Sequence, residues 1–230
     1  MLQLPPGRAE ALATAADTVA ALKPPTTFAA HFIQGNAFYA AGEFEKALAA
    51  YNHALALRPD DPLTLTNRGT ALGRLERYEE ALADLNRSLE LRPRDPVTLY
   101  NRGVALHHLE RYEEALADLN RSLELRPDDP DTLTNRGVAL AGLKRYGDAL
   151  PDYNRSVELK PDHSDALYNR ACLLSLTERW TESLVDLRAA VAIDPDNRRL
   201  AREDEDFEGL RNDPEWGPKF WEIVGREDKP

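Results

Sequence analysis

Between residues 62 and 129 one 34-residue unit is written twice almost without change: PLTLTNRGTALGRLERYEEALADLNRSLELRPRD is followed directly by PVTLYNRGVALHHLERYEEALADLNRSLELRPDD. With Pro62 and Pro96 as position 1, the copies differ only at positions 2, 5, 9, 12, 13 and 33. A chain that repeats at such a period buries its core between neighbouring copies, so the period is read before any single motif. All the differences but the one at position 33 fall in the first half of the unit. At about 100° per residue of helix they gather on one stripe. One surface of the unit varies while the rest is held.

The period starts at Phe28 and runs five times, over 28–61, 62–95, 96–129, 130–163 and 164–197. Position 8 is Gly35, Gly69, Gly103, Gly137 and Ala171, and position 20 is Ala47, Ala81, Ala115, Ala149 and Ser183. Small residues at both places let two helices come close. Position 11 (Phe38, Leu72, Leu106, Leu140, Leu174), position 17 (Phe44, Tyr78, Tyr112, Tyr146, Trp180) and position 24 (Tyr51, Leu85, Leu119, Tyr153, Leu187) supply the large apolar groups that fill the space between them. Proline at position 32 in every copy, from Pro59 to Pro195, ends the second helix and sets the turn into the next unit.

These ladders resemble the tetratricopeptide repeat family, over 170 of the 230 residues. The resemblance implies an all-α fold: a right-handed superhelical solenoid of antiparallel helix pairs with a capping segment at each end. It also implies a concave groove, lined by the first helix of each pair, that binds an extended peptide of a partner protein. Positions 2, 5, 9, 12 and 13 face that groove in the family, and they carry the variable stripe. The groove residues expected from this register are Phe32, Asn36 and Tyr39; Leu63, Thr66, Thr70 and Arg74; Val97, Tyr100, Val104, His107 and His108; Asp131, Thr134 and Val138; and Tyr168 and Cys172. Aromatic and aliphatic anchors alternating with small residues suit a peptide channel of few charges. The two imidazoles of repeat three should weaken binding of basic peptides as they protonate, near the ordinary range of about pH 6 to 6.5.

Position 7, normally leucine in the family, here holds Gln34 and then Arg68, Arg102, Arg136 and Arg170. Position 23 holds Asp84, Asp118, Asp152 and Asp186. The expected arrangement is a ladder between successive repeats, Arg102 with Asp84 and Arg136 with Asp118. The alternative is an arginine row that binds an anionic ligand.

The flanks are expected to cap the stack. The alanine-rich stretch 9–22 reads as one helix stopped by Pro24 and Pro25, within an N-terminal cap over 1–27. Residues 198–230 break the period but keep Leu200, Phe207, Leu210, Trp216, Phe220, Trp221, Ile223 and Val224. They read as a helical extension over 198–206 and a short helix over 214–226 covering the last repeat. Pro151 should make the second helix of repeat four the least regular of its kind.

A formal charge of −11 argues against nucleic acid, which needs a basic stripe to neutralise phosphates. Cys172, the sole cysteine, cannot form an internal disulfide, and no signal or membrane-spanning run is evident. The expectation is a cytoplasmic protein with a protein or peptide partner and no membrane attachment. His107 and His108 diverge by about 100° on a helix and do not chelate one metal as an i, i+4 pair does. Glu79 and Glu80, like Glu113 and Glu114, suit the positive end of a helix dipole. No cofactor, metal site or catalytic constellation is expected, and the chain reads as a non-enzymatic scaffold or adaptor. The other reading is an assembly component that self-associates or docks on an enzyme through its ends.

Overall fold

The computed structural model describes residues 26–225, and the helix expected over 9–22 lies outside the described residues. Among the described residues every regular element is helical, and contacts group them into two compact units meeting at Leu125 and Arg126. The first unit holds α1 (Phe28–Ala40), α2 (Phe44–Leu57), α3 (Pro62–Arg74), α4 (Tyr78–Leu91), α5 (Pro96–His108) and α6 (Tyr112–Leu125). The second holds α7 (Pro130–Gly142), α8 (Tyr146–Leu159), α9 (Ser164–Leu176) and α10 (Trp180–Ile193). It continues through α11 (Asn197–Glu203), a 3-10 turn (Glu205–Phe207), α12 (Glu208–Asn212) and α13 (Gly217–Val224). Consecutive helices pair α1 with α2, α3 with α4 and α5 with α6 in the first unit, and α7 with α8 and α9 with α10 in the second. Within the first unit α2 also packs on α3, and α4 on α5.

The first helices of repeats two, three and four start where the sequence provides both a cap and a preset backbone angle. Asp61, Asp95 and Asp129 accept the amides of Thr64, Thr98 and Thr132, and proline follows each aspartate as the first helical residue. Each first helix then ends in a Schellman closure. In the second repeat Glu76 N–H donates to Gly73 O and Arg77 N–H to Leu72 O, and the same pair of bonds recurs at Gly42/Glu43, Glu110/Arg111, Lys144/Arg145 and Glu178/Arg179. That closure needs a left-handed residue, and Gly42 (φ 78°), Glu76 (59°), Glu110 (58°), Lys144 (58°) and Glu178 (59°) all adopt it. Only the first is glycine, so the other four carry the steric cost of a Cβ in this region.

The short turn sends the second helix back along the first, and the small residues at position 8 become seats. A Cβ on Gly35 would lie 2.4 Å from Tyr51 Cε1, and one on Gly137 2.6 Å from Tyr153 Cε1. On Gly69 and Gly103 it would lie 2.8 Å from Cγ of Leu85 and Leu119. These four large partners are almost wholly buried. Pro151 sits inside α8, yet that helix spans the same 14 residues as α2, α4 and α6. Gly147, the residue whose carbonyl the proline ring abuts, precedes it by four.

The arginine ladder is corrected: each arginine pairs inside its own repeat. Arg102 donates through Nε and Nη2 to the two carboxylate oxygens of Asp118 (2.6 and 2.7 Å), not to Asp84. Asp84 is held in the same fork by Arg68, Asp152 by Arg136 and Asp186 by Arg170. Position 7 lies as far before the turn as position 23 lies after it, so an antiparallel pair brings them level. The link to the preceding repeat is made by Nη1 instead, from Arg68 to Asn52, Arg102 to Asn86 and Arg170 to Asn154.

The C-terminal segment closes the second unit. Phe207, Leu210, Phe220 and Val224 are fully buried against Ala171, Leu184, Leu187 and Val191, with Trp180, Trp216 and Trp221 at the edge. Arg211 donates to the carbonyls of Arg202 (2.6 Å) and Asp204 (3.2 Å) at the end of α11, while Asp213 accepts the amides of Glu215 and Trp216. Gly217 is required where a Cβ would lie 2.6 Å from Arg211 O. The tail is thus three helices and a 3-10 turn rather than the expected two, with α12 built on the segment between them.

Two outcomes are expected. Asp118→Ala strands a largely buried guanidinium and should lower stability by roughly 3 kcal/mol. Adding Arg102→Gln recreates the Gln34/Ala50 pair of repeat one and should recover most of that loss, as read by thermal and denaturant melts. Gly42→Ala should cost about 1 kcal/mol and Glu110→Gly should cost nothing or stabilise slightly. Equal effects from the two turn variants would contradict the strain assigned to the left-handed position.

Candidate functional site

The variable stripe maps onto the first helices, and in the first unit most of it is open. Leu63 and Val97, at position 2 of α3 and α5, are 48% and 41% exposed. On α1 the Phe32 ring is half-buried, 6.0 Å from Phe28 and 6.4 Å from Tyr51. Asn36 is already committed: its Oδ1 accepts Tyr51 O–H (2.8 Å) and Asn67 Nδ2–H (2.9 Å). Tyr100 and Val104 are half-buried, as is Thr70, whose hydroxyl donates to Thr66 O.

Position 13 stacks on the second helix of the preceding pair. The Arg74 guanidinium lies 5.1 Å from the Phe44 ring, itself 5.4 Å from Tyr39. One repeat later His108 lies flat on Tyr78, with centroids 4.4 Å apart at 6°, and His107 approaches Tyr112 at 5.5 Å. The result is a strip of rings and one cation rather than separate pockets. His107 Nδ1 is buried with no partner among the described residues. Burial holds both imidazoles below the ordinary histidine value, and for His107 the neighbouring His108 adds to the effect. Their protonation is therefore displaced to more acid pH than the sequence suggests.

Three of the expected groove residues are enclosed instead. Thr66 is 4% exposed, its hydroxyl 2.8 Å from Ser88 Oγ and 2.7 Å from Thr98 Oγ1, and Ser88 donates on to Pro62 O. Thr134 is 3% exposed and bonds Ser156 in the same way. A threonine at position 5 is short enough to turn inward to the serine of its own second helix, which a tyrosine cannot do. Cys172 is buried beneath the tail.

In the second unit this face is partly closed on α9, although Asp131 and Leu176 stay exposed. Asp131 is held by His163 Nε2 at 3.2 Å, and that bond keeps its carboxyl below the usual range. Val138 is half-buried. Tyr168 donates to Asp204 Oδ2 (2.8 Å), the Cys172 thiol points at the same oxygen (3.6 Å), and Phe207 lies edge-on to Tyr168 at 5.9 Å. The 3-10 turn after α11 thus sits over α9, where the sequence predicts a helical extension. Cys172, Asp204 and Asp206 are the one group of metal-ligand types clustered within 4.8 Å among the described residues. Burial and the two carboxylates push the thiol up, and burial also raises Asp206.

No helix among the described residues is long and apolar enough to cross a membrane. Models of the tetratricopeptide repeat match residues 35–76, 76–136 and 130–163, a continuous run over more than half of the 230 residues. No curated protein matches the chain. Among solved structures it is similar to YrrB, described as a TPR protein with an unusual peptide-binding site, at 26% identity and a TM-score of 0.58, covering 84% of this chain and 99% of that one. It is similar in fold to TTC0263, a thermophilic TPR protein of Thermus thermophilus, at 21% identity and a TM-score of 0.65 over 76% of this chain and 96% of that one. A chain of the APC/C hetero-tetramer Cut9–Hcn1 aligns at 19% identity and a TM-score of 0.74 over 93% of this chain and 40% of that one. The recurring helix pairs, the glycine seats beneath the position-24 side chains and these matches agree: the chain belongs to the tetratricopeptide repeat family.

Proposed function

We propose that this protein–protein interaction module binds an extended, largely apolar segment of a partner protein along α1, α3 and α5, in the cytoplasm and without catalysing a reaction. The observation that carries the proposal is the contrast between the two units. The first-helix face of the first unit leaves Leu63 and Val97 exposed and carries a half-buried aromatic strip, while on α9 Tyr168 and Cys172 lie under the chain's own tail. Exposed aliphatics and stacked rings on the same helices suit the anchors of a peptide site. YrrB, whose description includes a peptide-binding site, lends support by similarity. The peptide-facing residues in this reading are Phe32, Tyr39, Leu63, Thr70, Arg74, Val97, Tyr100, Val104, His107 and His108. Thr66, Thr134 and Cys172 are left out because they are enclosed.

Leu63→Glu and Val97→Glu place charge on the exposed anchors without touching the core, so stability should change by no more than about 0.5 kcal/mol. Peptides selected by display against the parent protein should lose at least about tenfold in affinity for either variant. Selected peptides that bind both variants as they bind the parent would sink the assignment.

The lowered histidines give a signed pH dependence. Because His107 and His108 bind protons more weakly in the folded chain than in the unfolded one, stability is greatest with both neutral. It should fall as pH drops below the unfolded value of about 6.5. Melting temperatures of the parent and of the H107Q/H108Q variant, compared between neutral and mildly acid buffer, check this. The parent should lose more on acidification than the variant.

A further inference from the structure

The remaining difference between the two near-identical copies lies at position 33, where repeats one and three have Asp60 and Asp128 and repeat two has Arg94. Where the aspartate is present, the arginine at position 26 of the next repeat takes it. Arg87 reaches Asp60 Oδ1 through Nε (3.0 Å) and Nη2 (2.8 Å), and Arg155 reaches Asp128 Oδ1 through Nε (3.2 Å) and Nη2 (2.9 Å). Each of these arginines also bonds the glutamate three residues on, Glu90 or Glu158.

Arg121 is the arginine that follows Arg94, so the position that supplies a carboxylate at the other two junctions carries a cation here. Arg121 Nη2 donates to the carbonyl of Pro93 at 3.0 Å. Its one carboxylate neighbour among the described residues, Asp118, stands 4.0 Å from Nη1 and is already held in a fork by Arg102. Arg92 and Arg94 are exposed on either side of Pro93, and with Asp95 these residues line an open recess. Asp95 caps α5 through Thr98 and makes no ion pair with either arginine among the described residues. A chain of net charge −11 therefore concentrates positive charge at the one junction where its own ladder lacks an acid.

We propose that Arg92, Arg94 and Arg121 form a docking site for an acidic segment of a partner protein, one of whose carboxylates takes the place that Asp60 and Asp128 fill within the chain. The guanidinium of Arg121 is held at the junction by the Pro93 carbonyl with donors to spare, which suits a carboxylate fork. A single exposed ion pair contributes little, so the ligand is a run of aspartates and glutamates that engages all three arginines together. The acidic remainder of the surface disfavours long polyanions, which places a short protein segment ahead of nucleic acid. The site is separate from the first-helix face, and either can fail without the other.

The test uses the full chain and a fluorescent peptide carrying an uninterrupted glutamate run, read by anisotropy at low and at moderate ionic strength. Arg94→Asp restores the internal ladder, so the peptide should bind about tenfold more weakly while the melting temperature holds or rises. Arg121→Gln should show the same loss of binding. Arg188→Asp, an equal charge change at an exposed site outside the cluster, should leave the affinity within about twofold. Affinity that is the same for the parent and R94D, or that falls as far in R188D, would overturn the proposal. So would single-stranded RNA that binds more tightly than the peptide through the same arginines.

Discussion

The register of every helix pair is set at its turn. A left-handed residue at position 15 closes the first helix with two bonds and returns the chain after three residues, which fixes the register in which the two helices meet. Position 7 reaches position 23, and position 8 reaches position 24. The first match makes the arginine–aspartate fork and the second seats a tyrosine or leucine against bare backbone. Polar and apolar locks lie one residue apart on the same helices, so neither can slip without breaking the other. The third arginine nitrogen then bonds an asparagine of the preceding second helix, which links one pair to the next within each unit.

Most of this order is legible in the amino-acid sequence. The period, the proline at position 32, the aspartate–proline starts and the small-against-large ladders are local signals that tertiary context does not overturn. The partner of each arginine could also have been found. Repeat one has Gln34 where the arginine belongs and Ala50 where the aspartate belongs. Loss of both groups from one repeat indicates pairing within repeats, since pairing across them would have left Arg68 facing Ala50. The inward turn of Thr66 and Thr134 was harder to see, because it depends on Ser88 and Ser156 standing at hydrogen-bonding distance, a property of two helices together. That the tail covers the last repeat was legible in its apolar anchors, but its seat over Tyr168 and Cys172 was not. Asp204, Asp206 and Phe207 carry no periodic signal, and only the fold brings them over Tyr168 and Cys172.

The two units consequently use similar first helices for different ends. In the first, aromatic stacking between position 13 and the ring of the preceding pair stiffens a face that stays open. In the second, the same side of α9 provides the contacts by which the tail is anchored, and apolar surface that would otherwise meet water is covered by Phe207, Leu210 and Phe220. A terminal repeat without such a covering would expose its core to solvent. The cysteine that looks in sequence like a groove residue belongs to this seal.

The second helices α4 and α6 have the same sequence, YEEALADLNRSLEL. Nothing in those side chains tells α3 from α5 as a mate, so the short turn, and not recognition, decides which helices pair. Identity of this kind also makes the length of the array negotiable. Excision of residues 78–111 would join Arg77 to Tyr112 and rebuild the wording of an intact repeat across the seam, turn and arginine fork included. An array with such interchangeable neighbours can lengthen or shorten by unequal exchange in its coding sequence with every seam already compatible. The slight divergence of its first helices then gives a newly gained copy a surface of its own.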